Sequence, residues 1–224
     1  MSNQTLSRLL VAEFLGTAML LSAVVGSGVM AERLAGGNVA VALLANTIAT
    51  GAALVALILA FAPVSGAHLN PVVSMSAALS GELSWKDAAL YTAAQIPGAL
   101  LGVAVANLMF DLPAFFVSTK PRTGFGQWLG EFVAAFGLVG VIIAVSRSAK
   151  TVAVALAVAA YITAAYWFTS STSFANPAVT IARSLSDTFA GIRPPDAPAF
   201  IAAQFLGAIA ASLLFNWLVP RKRS

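Results

Sequence analysis

His68-Leu69-Asn70-Pro71-Val72-Val73-Ser74 and Phe174-Ala175-Asn176-Pro177-Ala178-Val179-Thr180 are the two stretches on which the reading of this chain turns. Each sets asparagine before proline at the head of an apolar run. Asparagine is a favoured helix N-cap, and proline fits the first helical turn, where its missing N–H would have no partner anyway. One such pair signals only a capped helix. Here there are two, 106 residues apart, and their neighbours repeat with them. Ala12-Glu13-Phe14 recurs as Gly130-Glu131-Phe132, and Gln95-Ile96-Pro97-Gly98-Ala99 recurs as Gln204-Phe205-Leu206-Gly207-Ala208, in the same order. The chain therefore reads as an internal repeat within a single domain over 1–224, with one copy over 8–110 and the other over 127–219.

The composition says what the repeat is made for. Of 224 residues, 59% are hydrophobic and only 9% charged, and the mean hydropathy is +0.90. A soluble domain carries about 25% charged residues, so this chain cannot cover a water-facing surface. A soluble enzyme, a nucleic-acid-binding module and a disordered protein are excluded. The net charge of +4 is no nucleic-acid footprint, because the basic residues cluster only at Arg221-Lys222-Arg223, which reads as a cytoplasmic membrane anchor. Cysteine is absent, which rules out disulfides and thiolate chemistry, and a lone histidine offers no metal site. No cofactor is expected. The first apolar stretch contains Glu13 and lacks a cleavage site, so it reads as a retained span.

The uncharged runs have telling lengths. Residues 34–81 hold no charge over 48 positions, about 72 Å of helix at 1.5 Å per residue, whereas one crossing needs about 30 Å. Pro63, Ser65 and Gly66 break this run after one span over Val39 to Ala62. The remainder, Ala67 to Gly81, is too short for a second crossing. The run from Thr151 to Ala182 divides likewise into a span ending near Phe168, a turn over Thr169 to Ser173 and a short tail. Each run thus predicts one full span plus a re-entrant half-helix. Non-helical backbone at membrane depth persists only where protein or a water-filled cavity satisfies it. The fold class is an all-α integral membrane protein with six transmembrane helices and two re-entrant half-helices. Three spans per copy is an odd number, so the second copy enters the membrane upside down, as an inverted repeat. Arg8, Lys86, Arg147, Lys150 and the terminal basic run fall on one side, against Arg33, Lys120, Arg122, Arg183 and Arg193 on the other. That bias predicts cytoplasmic N- and C-termini in the inner (plasma) membrane.

Glu13-Phe14-x-Gly16-Thr17, Ser65-Gly66-Ala67-His68-Leu69-Asn70-Pro71 and Asn176-Pro177-Ala178 resemble the aquaporin and glycerol-facilitator family over nearly the whole chain. The resemblance implies two half-helices meeting at the bilayer centre, with Asn70 and Asn176 pointing amide donors into a pore, and a homotetramer with one pore per subunit. Val72 stands where the family's first motif has alanine. The resemblance also implies an outer filter of four residues, which counting from the asparagines puts at Thr50, Ala164, Ser173 and Val179. Water-selective members carry an aromatic, a histidine and an arginine there, and glycerol channels keep the arginine. This chain has Val179 in the arginine's place, implying a wide, weakly polar opening. The segment through Arg183 and Asp187-Thr188-Phe189-Ala190-Gly191 is similar to a bacterial subgroup associated with arsenic resistance.

The expected function is a passive channel for small uncharged solutes, glycerol-like or metalloid hydroxides such as arsenite, with water as a further solute. The alternative is an ion- or proton-coupled transporter, which also uses inverted repeats and broken helices. Glu13 and Glu131 carry two readings: intramembrane proton or ion sites, or acceptors for the N–H groups of the re-entrant loops. The second suits their matched placement. His68 reads as a fixed polar group at the pore wall. Arg183 also has two readings. Four residues beyond Val179, it shares that residue's face and places a charge about 6 Å farther out, or it pairs with Asp187 at i+4. The expected partners are membrane lipid and small neutral solutes.

Overall fold

The computed structural model describes residues 5–220. The basic run Arg221-Lys222-Arg223, read as an anchor, lies outside them. Eight α-helices follow in chain order: α1 Leu6–Leu34, α2 Val39–Ser65, α3 Pro71–Leu79, α4 Trp85–Met109, α5 Phe125–Ser146, α6 Thr151–Phe168, α7 Pro177–Arg183 and α8 Ala197–Leu218. Six are long and apolar enough to cross a membrane, the last counted from Pro194. Helices α3 and α7, of 9 and 7 residues, are the half-helices.

Pro63 does not end α2 as its sequence position suggests. The helix runs on to Ser65, and Gly66 stops it with a left-handed φ of 88° and an N–H bonded to Ala62 O. Proline in the last turn removes one donor and leaves the carbonyls behind it free to cap.

The halves pack alike. In one, α1 lies against α2 and α4; in the other, α5 lies against α6 and α8. The long helices approach through glycine. A Cβ on Gly98 would lie 2.3 Å from Phe14 O, and one on Gly207 would lie 2.2 Å from Phe132 O. Both distances are shorter than any side chain tolerates, so helix meets helix backbone to backbone, as small residues allow in lipid. Helices α2 and α6 close the two halves against each other, while α3 and α7 each pack on α4 and α8 and meet in the middle.

Val72 is fully buried away from the centre, packed with Val139, Ile143, Ala208 and Ala211 between α3, α5 and α8. Its extra volume relative to alanine fills that second core.

Candidate functional site: a cavity where the two half-helices meet

The loops ahead of α3 and α7 run through the same unusual backbone. Ala67 and Leu69 have φ of 51° and 50°, and Ser173 and Ala175 have φ of 51° and 49°. Left-handed non-glycine residues cost about 1–2 kcal/mol each and persist only where the surroundings over-determine them.

A buried carboxylate does that in each half. Glu13 accepts from His68 N at 3.0 Å, Leu69 N at 2.6 Å, Ser65 Oγ at 2.6 Å and Gln95 Nε2 at 2.8 Å. Glu131 accepts from Phe174 N and Ala175 N, both at 2.9 Å, and from Gln204 Nε2 at 2.6 Å. Each glutamine also reaches a hydroxyl on its half-helix, Gln95 to Ser74 at 3.1 Å and Gln204 to Thr180 at 2.8 Å. The loop N–H groups that have no strand or helix partner thus have ionic ones.

The asparagines join the halves. Asn70 Oδ1 accepts from Val72 N, and Asn176 Oδ1 accepts from Ala178 N and Val179 N, so each caps its helix. Their amide nitrogens cross over: Asn70 Nδ2 donates to Ala175 O, and Asn176 Nδ2 donates to Leu69 O, both at 2.8 Å. Pro71 and Pro177 open the helices beside them. Ala178 belongs to the apolar core.

A cavity of about 340 Å³ surrounds this junction. At one end it is bounded by Glu82, Ser146, Ala149 and Thr151, and at the other by Thr50, Tyr166, Ser173, Val179 and Arg183. Asn70, Asn176, His68 and Leu69 line it between. Its walls are stripes at four-residue spacing: Thr50, Leu54, Ile58 and Ala62 on α2, and Val154, Val158, Ile162 and Tyr166 on α6. Four residues turn a helix through about 400°, so each stripe is one helix face. His68 is held by Ser74 Oγ, 3.1 Å from Nδ1, and by the edge of Tyr91.

Three of the four residues expected at the filter, Thr50, Ser173 and Val179, line this cavity together. Ala164 does not. It is exposed on α6, two residues from both Ile162 and Tyr166, which is about 200° off the lining stripe. The twelve-residue count back from Asn176 missed the register of α6. Tyr166 faces the cavity instead, and its hydroxyl donates to Thr50 Oγ1 at 3.3 Å. The spacing from Val158 through Ile162 was the signal that could have found it.

Arg183 also lines the cavity, with only 3% of its surface exposed. Its Nε donates to Ala190 O, and its guanidinium carbon lies 3.4 Å from the centre of the Phe174 ring. Asp187 does not pair with it. That carboxylate accepts from Thr119 N at 2.9 Å and from the Thr119 and Ser118 hydroxyls, tying the α4–α5 connection down. The same connection brings in Arg122, which sequence reasoning did not single out. Arg122 donates from Nε to Gly191 O at 2.7 Å and from Nη1 to Ser171 O at 3.1 Å, with its guanidinium carbon 4.9 Å from the centre of the Phe174 ring. Beside it, Lys120 bridges to Glu32 and to the carbonyls of Thr188 and Phe189. Burial pulls the Lys120 ammonium below its usual pKa, against the opposing pull of Glu32.

Comparison with known proteins agrees with this fold. The model of the family described as "Major intrinsic protein" matches residues 1–152 and 145–224. Aquaglyceroporin AqpS of Rhizobium meliloti (strain 1021) is 56% identical over 218 residues, covering 97% of this chain and 93% of that protein. Aquaporin NIP1-3 of Oryza sativa subsp. japonica is 30% identical over 213 residues, covering 92% of this chain and 72% of its own length. The crystal structure of the aquaglyceroporin from Plasmodium falciparum superposes with a TM-score of 0.75 at 21% identity, covering 96% of this chain and 98% of that one.

Proposed function

Because this chain belongs to the major intrinsic protein family, we propose that it is a passive transmembrane channel for small uncharged solutes, with a filter wide enough for glycerol-like polyols and for neutral metalloid hydroxides such as arsenite. It works by binding and exclusion, and no chemical step is involved. The observation that supports the solute class is the set of side chains beside Arg183 at that end of the cavity: three hydroxyl residues, Thr50, Tyr166 and Ser173, and apolar Val179 where the family's arginine is expected, with the one charge, Arg183, a helical turn beyond Val179. Thr50, Tyr166 and Ser173 bring hydroxyls to this end, and Val179 brings an apolar side chain. That is the pattern a polyol needs, with hydrogen bonds along one edge and an apolar wall along the other.

Farther in, the solute meets Asn70 and Asn176. An amide has two N–H donors, and the cross-bond takes one from each. The second is the donor proposed to meet a passing solute oxygen. The half-helix N-termini add partial positive charge at the same place. A neutral solute recovers its lost hydration from these donors, while a cation meets donors and positive ends only.

Coupled transport is the reading that nothing here favours. A proton relay needs a carboxylate whose oxygens are open to the pathway, and both oxygens of Glu13 and of Glu131 accept hydrogen bonds from the loops and glutamines. We further place the protein in the plasma membrane with both termini cytoplasmic, on the lysine and arginine bias, and assemble it as a homotetramer by likeness to the family.

Val179→Arg tests the filter. Arginine would bring five fixed donors and a permanent charge into the opening. Glycerol or arsenite flux is expected to fall by about tenfold or more, and water flux by much less, because diameter and lining donors together set selectivity. Stopped-flow light scattering on liposomes at matched protein density measures both. Equal proportional losses would mean that Val179 is not at the constriction.

A further inference from the structure

Arg183 has more hydrogen-bonding capacity than the protein uses. Among the described residues, Nε alone of its nitrogens has a hydrogen-bond partner, the carbonyl of Ala190, and no carboxylate lies within 4 Å of it. The Phe174 ring covers one face of the guanidinium. The Nη edge carries four further N–H donors. Arginine is seldom this buried without a carboxylate, since an uncompensated buried charge is costly. A second group on the same cavity is also unpartnered: Ser173 Oγ is buried and has no hydrogen-bond partner. Asp187, four residues beyond Arg183, is held by Thr119 and Ser118, and Glu131 is taken up by Phe174 N, Ala175 N and Gln204. Arg122, stacked near the same ring, adds a second positive charge behind the site.

We propose that this mouth of the cavity is a binding site for a small oxyanion, held by the Nη edge of Arg183 and the hydroxyl of Ser173, and that the bound anion obstructs the passage of neutral solutes. A planar guanidinium matches two oxygens of a phosphate or carboxylate side by side. The ring stacked on Arg183 covers one face of the guanidinium and leaves the Nη edge for a ligand. An anion held there does not travel on. To continue it must give up the fork and pass Val179, where no charged donor replaces the one it leaves. The site is a plug and not a relay. This inference rests on the pore for its consequence and on Arg183 and Ser173 alone for the binding.

Two measurements separate these. The first is binding. Purified protein in detergent is titrated with inorganic phosphate against chloride at constant ionic strength, and the thermal unfolding midpoint is followed. Wild-type protein is expected to show a saturating, phosphate-specific rise. Arg183→Met and Ser173→Ala are expected to weaken the apparent affinity, Arg183→Met at least tenfold. If Arg183→Met yields no folded protein, Arg183→Lys keeps the charge and loses the fork, and it should weaken phosphate by at least threefold. The absence of a phosphate-specific rise in wild-type protein, or an equal rise in the Arg183 variant, overturns the site.

The second measurement is flux. With phosphate at equal concentration on both sides of the liposome, glycerol flux through wild-type protein should fall as the site fills, and the fall should be lost with the Arg183 variant. Binding without any fall overturns the plug. Liposomes that conduct no glycerol under any condition would refute the channel reading, and the binding titration would still decide the site.

Discussion

Glu131→Ala is expected to remove most folded protein from the membrane. The carboxylate answers Phe174 N, Ala175 N and Gln204 Nε2 at once, all buried. Alanine leaves three donors with no water to turn to. An unsatisfied buried donor costs about 1–3 kcal/mol, so the loss is on the order of the whole stability of an ordinary domain, about 5–15 kcal/mol. The loop also loses what holds Ser173 and Ala175 in left-handed conformations. Glu131→Gln keeps one acceptor oxygen and should be tolerated better, with a lowered unfolding midpoint and some surviving flux. Glu13→Ala and Glu13→Gln should fall in the same order, since Glu13 holds the equivalent loop through His68 N and Leu69 N. Size-exclusion profiles and unfolding midpoints in detergent measure the order. Alanine and glutamine variants of equal stability would show that the carboxylates do not hold the loops.

Asn176→Asp leaves the fold nearly intact and should change what the pore admits. Aspartate still accepts from Ala178 N and Val179 N, so the cap of α7 survives. It cannot donate to Leu69 O, as Asn176 does at 2.8 Å. A negative charge then faces a carbonyl oxygen at the junction and offsets the positive half-helix ends. Glycerol flux is expected to drop by about tenfold or more, with a cation conductance appearing, because the charge term at the narrow centre has changed sign. Asn70→Asp should act likewise through Ala175 O. Planar-bilayer recording beside liposome light scattering reads both effects. Unchanged glycerol flux with no new conductance would remove the asparagines from the pathway.

The architecture was legible in the sequence because membrane thickness is a ruler. A 48-residue uncharged run is too long for one crossing, and the stretch left after the break at Pro63, Ser65 and Gly66 is too short for a second. The half-helices followed from that. Glu13 and Glu131 could be tied to the loops because they recur with them. The loop conformations were not legible. Ala67, Leu69, Ser173 and Ala175 are left-handed without being glycine, and partners far apart in sequence hold their loops: the carboxylates across the helix interface and the asparagine amides of the other half, with Ser65 and Ser171 beside them. Ala164 failed for a different reason. A fixed count assumes a constant register between α6 and α7, whereas the stripe through Val158, Ile162 and Tyr166 carries its own register. Arg183 could be placed on the face of Val179 by helix geometry, but whether Asp187 would claim it depended on Thr119, 68 residues away in sequence. Arg122 reaches the site through a connection without periodicity, so no pattern pointed to it.

We propose that solutes pass down their own gradient, with no coupling to ions or protons. The direct measurement is the initial glycerol flux into liposomes holding purified protein, over a wide range of glycerol concentrations, with and without a protonophore. A passive channel gives a rate well above that of protein-free liposomes, proportional to the gradient and indifferent to the protonophore. A rate that saturates and collapses with the proton gradient would contradict it.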